Sequence, residues 1–268
     1  MLDVLRVAPK QAPDLAGRGT TAVPGLKVDK RRAEALVDAA VARIEVQQQR
    51  LFAENQRSLL LVLQGMDTSG KDGAVKKVFR SITPAAFDVA SFKMPSESER
   101  EHDYLWRVHA MFPRRGQIGI FNRSHYEDVV AAHVRGGLPM QQVKRRYRHI
   151  VELERMAVEE GTTIVKCFLH ISKDEQRERL QARLDDPEKR WKFRVGDLED
   201  RARWDAFTEA YERAITATSS AHAPWFVVPA DKKWLRDVVV SEVVASTLEA
   251  MAPELPPDDP AIDGITIP

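Results

Sequence analysis

Short apolar runs alternate along this chain with longer stretches of helical spacing. The runs cover residues 59–63, 87–92, 118–121, 162–171 and 225–228. Helix-compatible segments lie near 71–81, 97–112, 123–135, 140–160, 173–185, 197–219 and 232–252. A run that is apolar at every position, rather than at every second one, suits a strand buried on both faces. The pattern predicts an α/β fold, a parallel sheet flanked by helices on both faces. Some connections carry two helical segments, which suggests insertions over the strand ends.

Ahead of the first run, Ala33, Leu36, Val37, Ala40, Val41 and Ile44 fall on one face of a helix predicted over 28–56. Residues 1–27, rich in Pro, Ala and Gly, read as an arm that wraps the surface. The tail 253–268 is rich in Pro and Asp and reads as irregular. One domain over 28–252 remains between them, and 268 residues suffice for a single substantial core.

Composition narrows the function by exclusion. Hydrophobic residues make up 43% and charged residues 30% of the chain, as in a globular protein. A net charge of +1 gives no global field for nucleic acid or membrane, so an anionic partner must meet a local basic patch. The single cysteine, Cys167, forms no internal disulfide or metal cluster and reads as a core thiol. Neither a signal-peptide region nor a run of 18 apolar residues is present, so the expected location is cytoplasmic.

The first apolar run feeds Gly65-Met66-Asp67-Thr68-Ser69-Gly70-Lys71-Asp72-Gly73, and a helix-compatible segment follows. G-x-x-x-x-G-K between strand and helix is the context of a phosphate-binding P-loop. Its glycines let backbone N–H groups converge on phosphate oxygens, the helix N-terminus adds positive potential, and Lys71 adds a mobile charge. Two departures are informative. Asp72 stands where such loops place a Mg²⁺-ligating Ser or Thr. Asp67 lies inside the loop, where its carboxylate would repel phosphate by ~4 kcal/mol at about 4 Å and an effective dielectric near 20. A divalent cation between the two removes the conflict. The competing role for Asp67 is a turn or helix cap.

The strand expected over 118–121 exits into Asn122-Arg123-Ser124-His125-Tyr126-Glu127-Asp128. Open α/β sheets bind ligands at such carboxyl ends. Asn122 takes the place where P-loop enzymes carry a metal-linked Asp, and Arg123 offers a fork of donors to phosphate. Ser124 and Glu127 also fit a capping box, so Glu127 reads equally as a cap and as a site residue.

Basic residues gather at Lys144-Arg145-Arg146-Tyr147-Arg148-His149, which suits a solvated helix face. A second group runs through Arg177, Arg179, Arg183, Lys189, Arg190, Lys192 and Arg194. Ser172-Lys173-Asp174-Glu175 reads as a capping-box start that puts Arg179 and Arg183 one turn apart. With Pro187, Trp191 and Gly196 beyond them, the segment 173–198 reads as a phosphotransferase lid.

Together these motifs resemble the polyphosphate kinase 2 family over roughly residues 30–250. Further matches are Ser91-Phe92-Lys93, Phe168-Leu169-His170-Ile171-Ser172, Asp186-Pro187-Glu188-Lys189-Arg190-Trp191-Lys192-Phe193 and Ala223-Pro224-Trp225. The resemblance implies a P-loop kinase fold with a helical lid. It implies phosphoryl transfer between inorganic polyphosphate and adenine nucleotides, with guanine nucleotides as further acceptors, dependent on Mg²⁺ or in its place Mn²⁺. The Asn122 version resembles the class III subgroup that accepts both mono- and diphosphates. A homo-oligomer is expected.

Carried over residue by residue, Asp67, Lys71, Asn122, Arg123, Arg179 and Arg183 are the expected catalytic set. Gly65, Met66, Thr68, Ser69, Gly70, Asp72, Gly73, Lys93 and Lys189 are expected on phosphate. Tyr126, Glu127 and Asp128 are expected on the nucleotide, and Asp67, Asn122 and Glu127 on the metal. An ATP-dependent nucleoside monophosphate kinase and a diphosphate-specific polyphosphate phosphotransferase are the nearest other readings.

Overall fold

Six strands form one sheet in the computed structural model, which describes residues 1–267. They are β1 Arg6–Val7, β2 Ser58–Gln64, β3 Phe87–Ser91, β4 Ile118–Asn122, β5 Thr162–His170 and β6 Trp225–Pro229. The spatial order is β1-β6-β5-β2-β4-β3. All neighbours pair in parallel except β1, which runs antiparallel to β6. The helices are α1 Lys30–Glu54, α2 Lys71–Val78, α3 Glu97–Arg100, α4 Trp106–His109, α5 Val130–Val134 and α6 Met140–Glu159. The chain continues through α7 Lys173–Asp185, α8 Val195–Ala202, α9 Trp204–Thr218 and α10 Lys233–Met251.

All five apolar runs are strands, and every residue of β2 is buried. β2 is central, with Leu61 opposite Ile120 of β4 on one side and Val165 of β5 on the other. The chain fills the β4–β3 side first and the β5–β6 side afterwards. Crossovers therefore leave β2 in opposite directions, and a crevice opens at its carboxyl end. The P-loop sits there because it directly follows β2.

Three predicted helices are shorter or broken. The stretch 97–112 forms only α3 and α4, because Asp103 accepts the Leu105 N–H at 2.9 Å and starts a new turn. The stretch 123–135 is a series of turns until α5. The stretch 197–219 breaks at Arg203, since its two halves pack differently. α9 buries Phe207, Tyr211 and Ile215, whereas α8 buries no residue and is held by polar contacts.

The N-terminal segment wraps the surface and also joins the fold. Arg6 and Val7 pair with Phe226 and Trp225, and Leu5, Val7, Leu15 and Val23 are buried. Thr20 Oγ1 donates to Asp231 just beyond β6. Cys167 lies in β5 and is fully buried, which pushes its thiol up to about 12. The core also holds a charge pair, Lys166 of β5 with Glu154 of α6. Lys166 Nζ donates to the Thr218 carbonyl at 2.9 Å, and Glu154 accepts the Tyr126 hydroxyl at 2.9 Å. That network pins the turns after β4 to the core.

Candidate active site

The P-loop runs from the end of β2 to Gly70, the residue before α2, with Gly70 left-handed at φ 97°. Gly65 lies at φ 152°, and a Cβ there would come within 2.6 Å of the Leu169 carbonyl. Both positions need glycine for backbone reasons, as the motif requires. Thr68 is also left-handed, at φ 67°.

Lys71 folds back on its own loop. Its Nζ donates to the Gly65 carbonyl at 2.8 Å, the Met66 carbonyl at 3.3 Å and Ser69 Oγ at 3.3 Å. Burial, helped by the positive charge of Arg123, lowers its pKa to about 8; Asp67 and Glu127 oppose the shift. The loop carbonyls thus hold the ammonium where phosphate oxygens are expected.

The turns after β4 supply the opposite wall. Arg123 is left-handed at φ 65°, and its backbone N–H donates to the Leu63 carbonyl of β2 at 3.1 Å. That register aims its guanidinium at Asp67, with Nη2 to Oδ1 at 2.6 Å. Glu127 lies 3.9 Å from the same guanidinium. Burial raises the Glu127 pKa, while Arg123 and Lys71 pull it back. With its amide nitrogen turned to Glu127, the orientation its neighbours require, the fully buried Gln64 donates to Glu127 Oε1 at 3.1 Å and accepts the Ser124 N–H at 2.8 Å.

These contacts correct part of the sequence reading. No capping box forms at Ser124, because no helix starts there. Ser124 Oγ accepts from the Tyr126 N–H at 3.2 Å, and the Glu127 N–H goes to the Ser124 carbonyl at 2.9 Å. Glu127 is thus a carboxylate turned into the crevice rather than a cap. Tyr126, expected on the nucleotide, instead points into the core against Trp225, its ring centroid 4.9 Å away. Asp128, expected there too, is held by Arg107 Nη2 at 2.9 Å. Asn122 donates its amide nitrogen to Asp72. Asp67 meets Arg123, and no side chain caps α2.

The two lid arginines differ in role. Ser172 caps α7 by accepting the Glu175 N–H at 3.1 Å, but Glu175 turns to Arg179 and leaves the box half-made. Arg179 is the correction here, for it does not wait at a lid edge. Its guanidinium donates to the carbonyls of Thr68 at 2.8 Å, Ala230 at 2.7 Å and Asp231 at 2.8 Å. Together with Gln176, which reaches the Asp67 carbonyl at 3.2 Å, it ties the carbonyls of the loop to α7. Arg183 stands 3.7 Å from Asp197 of α8 and keeps donors free. Lys189 pairs with Asp186 on the surface, and the exposed Lys93 lies just past β3.

A contrast between the two arginines follows. Arg179→Ala should lower both kcat/KM and Tm, since three buried-side carbonyls lose donors worth about 1 kcal/mol each. Arg183→Ala should lower kcat by roughly tenfold with the Tm unchanged. Parallel steady-state kinetics and melts check this; equal Tm losses would make Arg183 structural as well.

The crevice is lined by Gly65, Met66, Asp67, Arg123, Glu127 and Arg135, with Gln176, Asp200, Trp204, Phe207 and Tyr211 closing it. Its last five residues and Arg135 escape the sequence reading, because they come from four separate helices. Phe207 and Tyr211 stand one helical turn apart, a spacing that by itself marks core positions. Among the described residues no group of three or more His, Cys, Asp or Glu could hold a metal. Two converging carboxylates, Asp67 and Glu127, nonetheless fit a Mg²⁺ ion, which commonly takes one or two carboxylates and completes its shell with phosphate and water. No helix among the described residues is long and apolar enough to cross a membrane.

A profile of the family described as polyphosphate kinase 2 matches residues 27–256. An AMP/ADP-polyphosphate phosphotransferase from Meiothermus ruber is 55% identical over 225 residues, covering 84% of each chain. An ADP-polyphosphate phosphotransferase from Rhodopseudomonas palustris is 41% identical, over 96% of this chain and 92% of its own. The crystal structure of a polyphosphate kinase 2 from Arthrobacter aurescens superposes with a TM-score of 0.92 at 42% identity. That match covers 96% of this chain and 92% of the other.

Proposed function

The chain belongs to the polyphosphate kinase 2 family, and from that premise we propose that it transfers phosphate reversibly from inorganic polyphosphate to AMP and ADP, giving ADP and ATP. It is a transferase of the P-loop kinase type. The observation that carries the reading is the convergence of Asp67, Lys71, Arg123 and Glu127 on one crevice at the carboxyl end of β2. Phosphoryl transfer needs positioning and charge neutralisation more than covalent help, and this set supplies both.

In this reading the loop N–H groups and Lys71 hold the donor phosphates, and Arg123 spans donor and acceptor. Asp67 and Glu127 would hold Mg²⁺ (or Mn²⁺), with Asn122 as a further oxygen donor. When bound, the ion supplies positive charge to the transferring oxygens. Arg183, Lys189 and Lys93 meet the polyanion from the lid and the β3 end. We place the reaction in the cytoplasm and expect a homo-oligomer, in which a partner copy would cover exposed apolar side chains such as Val89, Met94, Trp106 and Met111.

The test is AMP with polyphosphate and Mg²⁺, without any nucleoside triphosphate. ADP and then ATP should appear; no product under these conditions removes the reading in favour of an ATP-dependent kinase.

Acceptance of AMP depends on Glu127. AMP lacks the β-phosphate, so its α-phosphate must be held where ADP presents its terminal one. With uncharged Asn122 at the strand end, Glu127 is the carboxylate of these turns that faces the crevice, so a cation serving the acceptor would sit toward it. Glu127→Gln should therefore depress AMP turnover several-fold more than ADP turnover. An AMP/ADP ratio equal to wild type in steady-state assays would remove Glu127 from acceptor choice.

A further inference from the structure

Arg135 has no part in the motifs, yet it lies at the crevice wall. It follows the last turn of α5, and its guanidinium shares the lining with Asp67, Arg123 and Glu127. The charges of Glu127 and Asp67 both act on it, after the nearer carboxylate of Asp200. Asp200 of α8 takes both prongs of the guanidinium, Nε to Oδ1 at 3.1 Å and Nη2 to Oδ2 at 2.5 Å. A carboxylate in that bidentate grip occupies the donor fork that a phosphate would take.

We propose that Arg135 is a phosphate-binding residue for the acceptor nucleotide, and that Asp200 is the internal anion which that phosphate displaces. This rests on the phosphotransferase reading above. Three features select the nucleotide over polyphosphate as its ligand. The wall beside Arg135 is aromatic, with Trp204, Phe207 and Tyr211, and polyphosphate has no apolar part to place there. Arg135 follows β4 and its turns, which supply the crevice wall opposite the P-loop. α8 buries no residue, so its position depends on polar contacts such as this pair, which an anion can exchange.

Asp200 is half-shielded rather than sealed: its side chain is 14% exposed and that of Arg135 is 44% exposed. The pair can therefore open without stranding a charge in the core, as a buried pair could not. A structural tie between α5 and α8 would be equally visible in the coordinates. The two roles differ in the sign of one substitution.

The experiment is calorimetric titration of AMP, with adenosine as a phosphate-free control, into the full-length enzyme without polyphosphate. Arg135→Ala should weaken AMP about tenfold and leave adenosine unchanged. Arg135→Lys should recover only part of the loss, since a point charge lacks the fork. Asp200→Asn should tighten AMP several-fold, because the competing anion is gone. A weaker or unchanged AMP affinity in Asp200→Asn overturns the proposal, as does an Arg135→Ala enzyme that binds AMP like wild type. Thermal melts accompany each variant, and a destabilised Arg135→Ala leaves the Asp200→Asn arm to decide. Absence of ADP from wild-type enzyme given AMP and polyphosphate would instead remove the functional reading, which these binding arms do not address.

Discussion

Asp67→Asn is expected to lose at least about a hundredfold in kcat/KM, or roughly 2.7 kcal/mol of transition-state stabilisation. The substitution keeps the size and hydrogen-bonding shape of the side chain but removes the charge that faces both Arg123 and the phosphate position. In the native site Asp67 is 18% exposed and its partner Arg123 40% exposed, so the pair contributes little to folding. The melting temperature should thus stay near wild type while activity collapses. The metal role adds a second signature. An Asn at this position binds Mg²⁺ more weakly, so the Mg²⁺ concentration for half-maximal rate should rise. A variant that keeps most of its activity at ordinary Mg²⁺ would strip Asp67 of that role.

Lys71→Ala should cost a similar or larger factor, and here pH gives an independent check. Burial and the charge of Arg123 hold the Lys71 ammonium near 8 in the free enzyme, against about 10.4 for an ordinary lysine. The direction is downward, so the charged, phosphate-gripping form is present below about 8 and is lost as pH rises through it. Because kcat/KM reports the free enzyme, it should fall about tenfold per unit above that pH. Bound phosphate favours the ammonium, so the corresponding limb in kcat should lie at higher pH. In Lys71→Ala the residual activity should lose the limb near 8 altogether. A wild-type kcat/KM profile flat to pH 10 would show that Lys71 keeps its proton in the free enzyme and that burial and Arg123 do not lower its pKa as described.

Much of this protein is readable without coordinates. The positions of β2, β4, β5 and β6 follow from apolar runs, since burial on both faces leaves little room for alternation. The edge strand β3 buries no residue, and the short β1 carries no such run. The P-loop is readable because its backbone demands are local: left-handed Gly70 and close-approached Gly65 can only be glycine. The placing of Asp67, Lys71 and Arg123 beside the carboxyl end of β2 is readable for the same reason, being fixed by position relative to a strand end.

Other features depended on contacts between distant residues. Glu127 reads as a cap in sequence, and only the turns pinned by Tyr126, Glu154 and Lys166 show that no helix starts there. Arg179 reads as a lid arginine, yet its donors are taken by Thr68, 111 residues away, and by Ala230 and Asp231. Arg135 and Asp200 meet across 65 residues with no motif around either. Backbone torsion and hydrophobic periodicity act within a few residues, so the sequence alone determined the central strands and the loop that follows β2. The partner of a long polar side chain depends on which helices the sheet brings together, and only the tertiary structure decided that.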